Sequence, residues 1–241
     1  ILMEPMAQAG QEPVGSMGDD APLSLLSRNS RSLFSYFKQL FAQVTNPPID
    51  PLREDMVMSL RSIVGPRKNL LEETPEHAHL MQWHTPVVTS HDLLWITGQS
   101  DNTFRSAILD ATFPVRKGAE GLKAAVDQLC KCAEAAVRAG RAVLIISDRS
   151  VGDERAMVPS LLATGAVHHR LIRSGIRMQA SIVVESGDAR QTHDMACLLG
   201  YGADLIVPYL AYATVEALIE DDDSAEYEGI DAAQAVSNYR R

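Results

Sequence analysis

Residues 142–147 read AVLIIS, a continuous apolar run in an otherwise mixed sequence. A short run of this kind is typical of a strand that is buried on both faces in a parallel sheet. An Ala-rich segment with helical periodicity, residues 118–139, precedes the run and ends at Gly140. A second helical pattern spans residues 159–174 and ends at Gly175. Helix, strand and helix in this order predict βα units rather than an all-helical or all-strand domain.

The same alternation continues through the second half of the chain. Helical patterns separate strand patterns at residues 107–115, 142–147, 179–184 and 205–207. Repeated βα units predict right-handed crossovers and a parallel sheet with helices outside it. A complete eight-stranded barrel needs about 250 residues, more than this repeat spans. We therefore predict an α/β fold with a degenerate, incomplete TIM-barrel-like repeat in residues 106–241.

Residues 1–105 predict a loop and a helical arm that belong to the same domain. Apolar residues at helical spacing predict a helix over residues 33–44. Asp50 can cap a second helix, whose predicted buried stripe consists of Leu52, Met56, Leu60 and Ile63. A short strand is expected at residues 86–89, followed by a short helix that Ser90 caps.

Composition and charge exclude several classes of protein. The 241 residues carry a net charge of −9 at pH 7, and 46% are hydrophobic, which is ordinary for a globular domain. The acidic balance argues against a nucleic-acid or anionic-membrane partner, and no apolar run approaches the roughly 20 residues of a membrane-spanning helix. Three cysteines are too few for a disulfide scaffold, so we expect a reducing compartment, the cytoplasm. Because the chain opens on Ile1, we also expect a piece of a longer protein.

Polar residues follow the predicted strands, at the sheet edge where parallel α/β proteins carry their active sites. The loop 148–155 reads DRSVGDER and is either a charged site or a solvated loop whose Asp and Arg pair with each other. Glu185 is either a catalytic carboxylate or an acceptor for backbone donors at the next helix, which Asp188 would cap. Pro208 and Tyr209 offer neither a nucleophile nor a base. Since no glycine-rich phosphate loop or nucleophile elbow is present, no catalytic residue is assigned.

Histidines and cysteines indicate no metal site. Metal sites use closely spaced histidines, but no fixed helical pair or nearby cysteine accompanies His77, His79, His84 and His91. His168 and His169 are adjacent on a predicted helix, and Cys130 and Cys132 lie two apart on another, so neither pair converges easily. His193 is expected at the surface.

Several longer stretches, in order along the chain, carry a resemblance to a known family. They are GSMGDDAPLSLLS at 15–27, FKQLFAQVTNPPIDPLRE at 37–54, DATFPV at 110–115, AVLIISDR at 142–149, VPSLLATGAVHHRLI at 158–172 and LGYGAD at 199–204. Together they resemble the central domain of glutamate synthase over nearly the whole chain. That resemblance implies a fold similar to a flavin-binding barrel that has lost its flavin.

The resemblance also implies a place in a larger enzyme, which makes two L-glutamates from L-glutamine, 2-oxoglutarate and two electrons. In that enzyme an amidotransferase domain releases ammonia, and a synthase domain with FMN and an iron–sulfur cluster uses it. The central domain connects these two domains of the same polypeptide and holds no cofactor of its own. The residues quoted above do not indicate whether a reduced nicotinamide cofactor or ferredoxin donates the electrons.

Three residues take site roles from the resemblance. Thr45 and Asn46 would line an intramolecular ammonia tunnel, or would simply cap the end of their helix. Met17 would reach the FMN and 2-oxoglutarate site of the neighbouring domain, or would simply be buried. Faces that pack on neighbouring domains would lie bare in this chain. The expected bare face, unless it packs on the domain's own sheet, is the arm with Phe34, Phe37 and Phe41.

A second hypothesis comes from a different class of protein. It is a free-standing, barrel-like enzyme that binds a phosphorylated cofactor at the loop 149–155. The missing glycine-rich loop argues against this hypothesis, whereas a flavin or phosphate ligand on the purified chain would favour it.

Overall fold

The computed structural model describes residues 3–13, 30–38, 53, 57–220 and 229–240. In chain order its strands are β1 (Ser62–Val64), β2 (Met81–Trp83), β3 (Ser106–Asp110), β4 (Thr112–Pro114), β5 (Val143–Ser147), β6 (Arg155–Met157), β7 (Ser181–Glu185) and β8 (Leu205–Val207). Its α-helices with described bounds are α1 (Glu4–Ala9), α2 (Ser90–Thr97), α3 (Gly118–Arg138), α4 (Ser160–Arg173), α5 (Thr192–Gly200), α6 (Tyr209–Glu220) and α7 (Ala232–Tyr239). Short 3-10 turns lie at Leu33–Phe37, Pro75–Ala78, Asn102–Phe104, Val115–Lys117 and Arg177–Gln179.

The centre of the fold is a four-stranded parallel sheet in the order β3, β5, β7, β8. Each strand lies beside the next one of the sheet along the chain, and α3, α4 and α5 lie in the three crossovers. All residues of β5 are buried, which confirms the strand predicted from residues 142–147. At the far edge, Val87 forms a single parallel bridge to β8 in place of the strand predicted at residues 86–89.

Different parts of the chain cover the two faces of the sheet. The apolar sides of α3, α4 and α5 pack on one face, against side chains such as Leu144 and Ile182. The other face packs against α2 and the β1–β2 pair, where Ile145 of the sheet and Ile96 of α2 share one cluster. Crossover helices on a single face are typical of a barrel wall. Among the described residues the sheet is open, so the structure shows a mixed α/β domain around a parallel sheet.

A smaller apolar cluster joins α1, α6 and α7, with Val215 and Tyr239 among its members. The side-chain amide of Asn238 donates to the carbonyls of Ala7 and Gln8 at 3.0 and 2.9 Å. These carbonyls lie in the last turn of α1, where no intrahelical donor remains for them. The C-terminal helix therefore caps the N-terminal one.

The strand predicted at residues 107–115 consists of two strands with different partners. β3 pairs parallel with β5, whereas β4 pairs antiparallel with β6. The break lies at Ala111, whose N–H donates to the carbonyl of Ser147. Asp110 Oδ1 accepts the N–H and the hydroxyl of Thr112 at 3.0 and 2.6 Å. This local side-chain turn competes with the sheet ladder and redirects the chain.

The helix predicted over residues 33–44 is only partly described. A 3-10 turn ends at Phe37, after which the backbone is extended. Phe34 is buried in the main core beside α4 and α5, and the ring of Phe37 meets that of Tyr201 edge-on at 5.3 Å. Phe41 lies outside the described residues. At Phe34 the arm therefore packs on the domain's own core rather than lying bare.

The buried helical stripe predicted after Asp50 is wrong at its described end. Leu60 and Ile63 are 63% and 44% exposed, because Ser62–Val64 form β1 rather than a helix. Pairing with β2 turns Val64 inward and Ile63 outward, as the alternation of strand side chains requires. Leu52 and Met56 lie outside the described residues.

Two helices are capped by residues other than the predicted ones. Thr89 rather than Ser90 caps α2, because Thr89 and Asp92 each accept the other's N–H through their side chains. The helix predicted from Asp188 begins later, as α5, with Gln191 at its N-cap position and the Asp194 carboxylate accepting the Gln191 N–H at 3.2 Å. The preference of residue types for the N-cap position could not identify the capping residue, since several polar residues in succession can cap a helix.

Candidate functional site

The carboxyl ends of β5 and β7 carry a charged network around a buried carboxylate. Ser147 and Glu185 are register partners, and the Ser147 hydroxyl donates to Glu185 Oε2 at 2.5 Å. Arg149, two residues beyond β5, donates from Nε to Glu185 Oε1 at 2.6 Å. Because Glu185 is buried, both oxygens need such partners to offset the cost of desolvation.

Arg149 joins two further elements to this network. Its guanidinium carbon lies 4.1 Å from the ring centroid of Tyr209, a cation–π contact. Its Nη2 donates to the hydroxyl of Ser90, in the first turn of α2, at 3.1 Å. The Arg149 side chain therefore links the carboxyl ends of β5, β7 and β8 to α2, which covers the face of the sheet opposite the crossover helices. Sequence reasoning assigned no role to Tyr209, although its position directly after β8 was a usable signal.

Asp148 belongs to the same edge and is almost fully buried. Its Oδ2 accepts the N–H of Gly187 at 2.8 Å, and the Tyr209 hydroxyl lies beside its carboxyl group. Burial raises the pKa of Asp148, and the charges of Asp188 and Glu185 act in the same direction, whereas the hydrogen bond from Gly187 and the neighbouring Tyr209 hydroxyl oppose the shift. Burial also raises the pKa of Tyr209, with Asp148 as the next cause.

Asp188 serves a different helix from the one predicted. Its carboxylate accepts the Ser160 hydroxyl at 2.5 Å, the Ser160 N–H at 3.3 Å and the Ser186 hydroxyl at 2.6 Å. It therefore caps the start of α4, where Pro159 provides no side-chain cap. The prediction that Asp188 caps the helix following its own strand is wrong.

The second arginine of the loop 149–155 is also paired. Arg155 Nη2 lies 2.7 Å from Asp110 Oδ2, and its Nε donates to the Thr112 hydroxyl at 2.8 Å. Arg149 and Arg155 thus each meet a carboxylate at the end of a neighbouring strand, not one within their own loop. A phosphate site needs cations and N–H groups free to face an anion. The geometry therefore disfavours a phosphate site in this loop.

Three grooves in the described part of the chain lie away from these edge residues. A groove of about 510 Å³ runs along α3 and α4, past Cys130 and His169. A second, of about 400 Å³, lies between α1, α5 and α7 beside Met195, and a third, of about 460 Å³, lies beside Arg67 and Leu80. The carboxyl edge itself is a polar network that can fix the strand ends.

Histidines occupy separate structural positions. His77 contacts backbone atoms of its own loop, and His79 Nε2 lies 3.0 Å from Asp101 Oδ2. His193 is half-buried and contacts the carbonyl of Phe34 at 3.0 Å, so the surface position predicted for it is wrong. Within the described ranges, no group of three or more His, Cys, Asp or Glu side chains could hold a metal ion.

Two of the stretches that carry the resemblance pack on each other. Gly165 faces the ring of Tyr201, and Gly202 faces the imidazole of His168, so closely that a Cβ at either glycine would collide. Arg177 Nε donates to His168 Nδ1 at 3.0 Å. Burial, followed by the charge of Arg177, lowers the pKa of His168. The quoted stretches thus contain structural contacts that spacing along the sequence could not reveal.

An ion-pair cluster lies at the opposite, amino end of the sheet. Arg177 Nη2 is 3.1 Å from Asp204 Oδ2, and Arg67 Nη2 is 3.2 Å from Asp204 Oδ1. The same carboxylate accepts the N–H of Ile182 at 2.8 Å. Sequence reasoning missed this cluster, because its members come from three distant segments.

The residues that the resemblance assigned to a site, Thr45, Asn46 and Met17, lie outside the described residues. Their roles therefore remain predictions. No helix within the described ranges is both long and apolar enough to cross a membrane.

Comparison with known proteins shows the class of this domain. A family model described as the glutamate synthase central domain matches residues 1–241. The NADH glutamate synthase of Schizosaccharomyces pombe is 42% identical over 242 residues, covering the whole chain and 11% of that protein. Ferredoxin-dependent glutamate synthase 2 of Synechocystis is 43% identical over 252 residues, covering the whole chain and 16% of that protein. The chloroplastic ferredoxin-dependent enzyme of Oryza sativa is 48% identical over 217 residues, covering 89% of the chain and 13% of that protein.

The three relatives named above are all glutamate synthases. The chain belongs to the glutamate synthase central domain family. It spans 11–16% of the length of the three relatives named above.

Proposed function

We propose that this chain is the connecting domain of a glutamate synthase and performs no chemistry by itself. The whole enzyme makes two L-glutamates from L-glutamine, 2-oxoglutarate and two electrons. The observation that carries this proposal is the family match over residues 1–241, together with the small share of each relative that the chain spans. The paired groups at the carboxyl edge support it, because Glu185 is engaged by Arg149 and Arg155 is engaged by Asp110.

The partners in this proposal are an amidotransferase domain and a synthase domain of the same polypeptide, in the cytoplasm. The chain acts as one domain, with residues 1–105 as its arm and residues 106–241 as a degenerate, TIM-barrel-like β/α repeat. Support for the barrel-like description comes from the sequential strand order and from crossover helices that pack on one face.

Thr45 and Asn46 line the passage of ammonia in this proposal. Both side chains are neutral and polar, so they can contact ammonia without supplying the charge that would stabilise ammonium. Met17 contacts the FMN and 2-oxoglutarate site, where a flexible thioether can pack on a ring. The support for all three roles is the resemblance of the stretches 15–27 and 37–54.

FMN and the iron–sulfur cluster of the whole enzyme fit poorly on the described part of this chain. Ligation of an iron–sulfur cluster uses several cysteine thiolates. Cys130 and Cys132 lie on α3 whereas Cys197 lies on α5, and α4 lies between these two helices in the order of the crossovers. The loop 149–155, where a phosphate was considered, has its arginines paired. We therefore place both cofactors on other parts of the polypeptide.

A titration of the purified chain with FMN, followed by flavin fluorescence with and without 2-oxoglutarate, tests this proposal. We expect no saturable quenching up to high micromolar FMN. Saturable quenching with submicromolar affinity would overturn the proposal and would favour a free-standing enzyme with a phosphorylated cofactor at the loop 149–155.

A further inference from the structure

One face of the central sheet is covered unevenly. Ile145 of β5 and Ile108 of β3 are register partners on the face that α2 covers. Ile145 is 1% exposed, whereas Ile108 is 68% exposed. Because directly paired residues share a face of the sheet, the apolar side chains that cover Ile145 on β5 do not extend over Ile108 on β3.

The edge formed by β3 lacks the features that normally protect a free edge. Among the described residues β3 has a strand partner on one side only, β5. Edge strands in stable monomers carry charges, proline or bulges that prevent further pairing. Residues 106–109 read Ser-Ala-Ile-Leu and contain none of these, and the one charged residue of β3, Asp110 at its carboxyl end, is engaged by Arg155 at 2.7 Å.

The helix on the same side of the sheet is also bare on its outer face. Leu93 and Ile96 of α2 point into the core, whereas Leu94 and Trp95 are 70% and 51% exposed. Large aromatic side chains at a surface are common anchors of protein interfaces. Trp95 is held in place by an edge-on contact with Trp83 at 5.9 Å.

We propose that Ile108, Leu94 and Trp95 form a docking surface, and that its occupant is another domain of the same longer polypeptide. This inference rests on the proposed function, since it deepens the role of a connecting domain. The relatives named above carry this domain as 11–16% of their length. The rest of such a polypeptide is present at high effective concentration, so it competes best for an apolar surface.

Photo-crosslinking in the full-length polypeptide tests the occupant. The photoreactive residue p-benzoyl-L-phenylalanine replaces Ile108 or Leu94, which are exposed enough to accept its bulk. Leu71, 93% exposed in a surface turn, is the control position. After irradiation, peptide mapping identifies the crosslinked segment. At positions 108 and 94 we expect crosslinks to segments outside these 241 residues, in several-fold higher yield than at position 71.

Three other results would overturn the inference. They are crosslinks within the 241 residues, crosslinks between two copies of the polypeptide, and yields no higher than at position 71. The ratio of glutamine hydrolysed to glutamate formed, measured on the same preparations before irradiation, tests the connecting role separately. A crosslink to another domain, found in an enzyme that hydrolyses glutamine without forming glutamate in proportion, would support the docking surface but contradict the proposed function.

Discussion

Gly202 packs directly against the imidazole of His168, leaving no room for a Cβ at residue 202. Its φ of +107° lies in the region that favours glycine, and its carbonyl accepts from Arg177 Nη2 at 2.8 Å. Arg177 also holds the ring of His168. The stretch 199–204 is therefore fixed by geometry that only glycine permits at this position.

We expect Gly202→Ala to lower the free energy of unfolding of the chain by about 2–5 kcal/mol, because backbone strain and steric overlap add. Gly200→Ala is the matched control, since residue 200 lies at the end of α5 with no atom near its Cβ position. That change should be neutral or stabilise by up to about 1 kcal/mol. Urea unfolding followed by circular dichroism measures both, and equal effects at the two glycines would contradict this packing.

Arg149→Met should destabilise the chain by about 1–3 kcal/mol, because it leaves the buried carboxylate of Glu185 without its cation. Arg149→Lys should recover only part of the loss, since an ammonium cannot keep the flat contact with Tyr209 and the fork geometry together. Adding Glu185→Gln to Arg149→Met should cost less than the sum of the single changes. Strict additivity in denaturant titrations would show that the 2.6 Å contact contributes nothing.

The buried carboxyl group of Asp148 should make stability depend on pH. Its pKa is raised in the folded chain, so the folded state favours the protonated form more than the unfolded state does. Its contribution is therefore fully present below the unfolded pKa and is lost as the pH rises through the folded pKa. From about pH 4, near the pKa of an unfolded aspartate, upward through the raised folded pKa, Asp148→Asn should become progressively more favourable relative to the native chain.

Unfolding free energies of both chains at several pH values measure this difference. Asp194, whose pKa burial also raises, is unchanged in both chains and cancels from it. A difference that stays constant, or moves in the opposite direction, would contradict the assignment of Asp148.

Asn238→Leu should release α1 from α7, because two carbonyls at the end of α1 lose their donors. We expect faster hydrogen exchange in residues 4–10 and a loss of about 1–3 kcal/mol in unfolding free energy. Hydrogen exchange in β5 and β7 should become faster only by the amount that the loss of global stability accounts for. Gln234→Ala, which removes a neighbouring donor to Asn238 Oδ1, is the milder control. Unchanged exchange in α1 would show that Asn238 does not hold it.

The parallel sheet could be predicted because its signals are local. The run 142–147 is apolar throughout, and the helical patterns on either side end at Gly140 and Gly175, both of which adopt positive φ. The strand predicted at residues 107–115 was too long, because it divides at Ala111: β3 pairs with β5, whereas β4 pairs with β6. Patterns within one segment carry no information about such a partner.

The edge network shows the same limit. The position of Glu185 after its strand indicated the correct edge of the sheet. Its pairing with Arg149 follows only from the register of two strands, and the role of Asp188 at the start of α4 follows from tertiary packing. The ammonia-tunnel residues came from resemblance alone, since neutral polar side chains before two prolines have no distinctive pattern.

We propose that this chain connects two active sites through a passage for ammonia. The most direct measurement is the ratio of glutamine hydrolysed to glutamate formed by the full-length enzyme carrying Asn46→Asp, with the neutral change Asn46→Ser as control. Our account predicts excess glutamine hydrolysis for the Asp variant alone, because a carboxylate in the passage stabilises ammonium over ammonia. Equal ratios in the Asp variant, the Ser variant and the native enzyme would contradict the assignment of Asn46 to that passage.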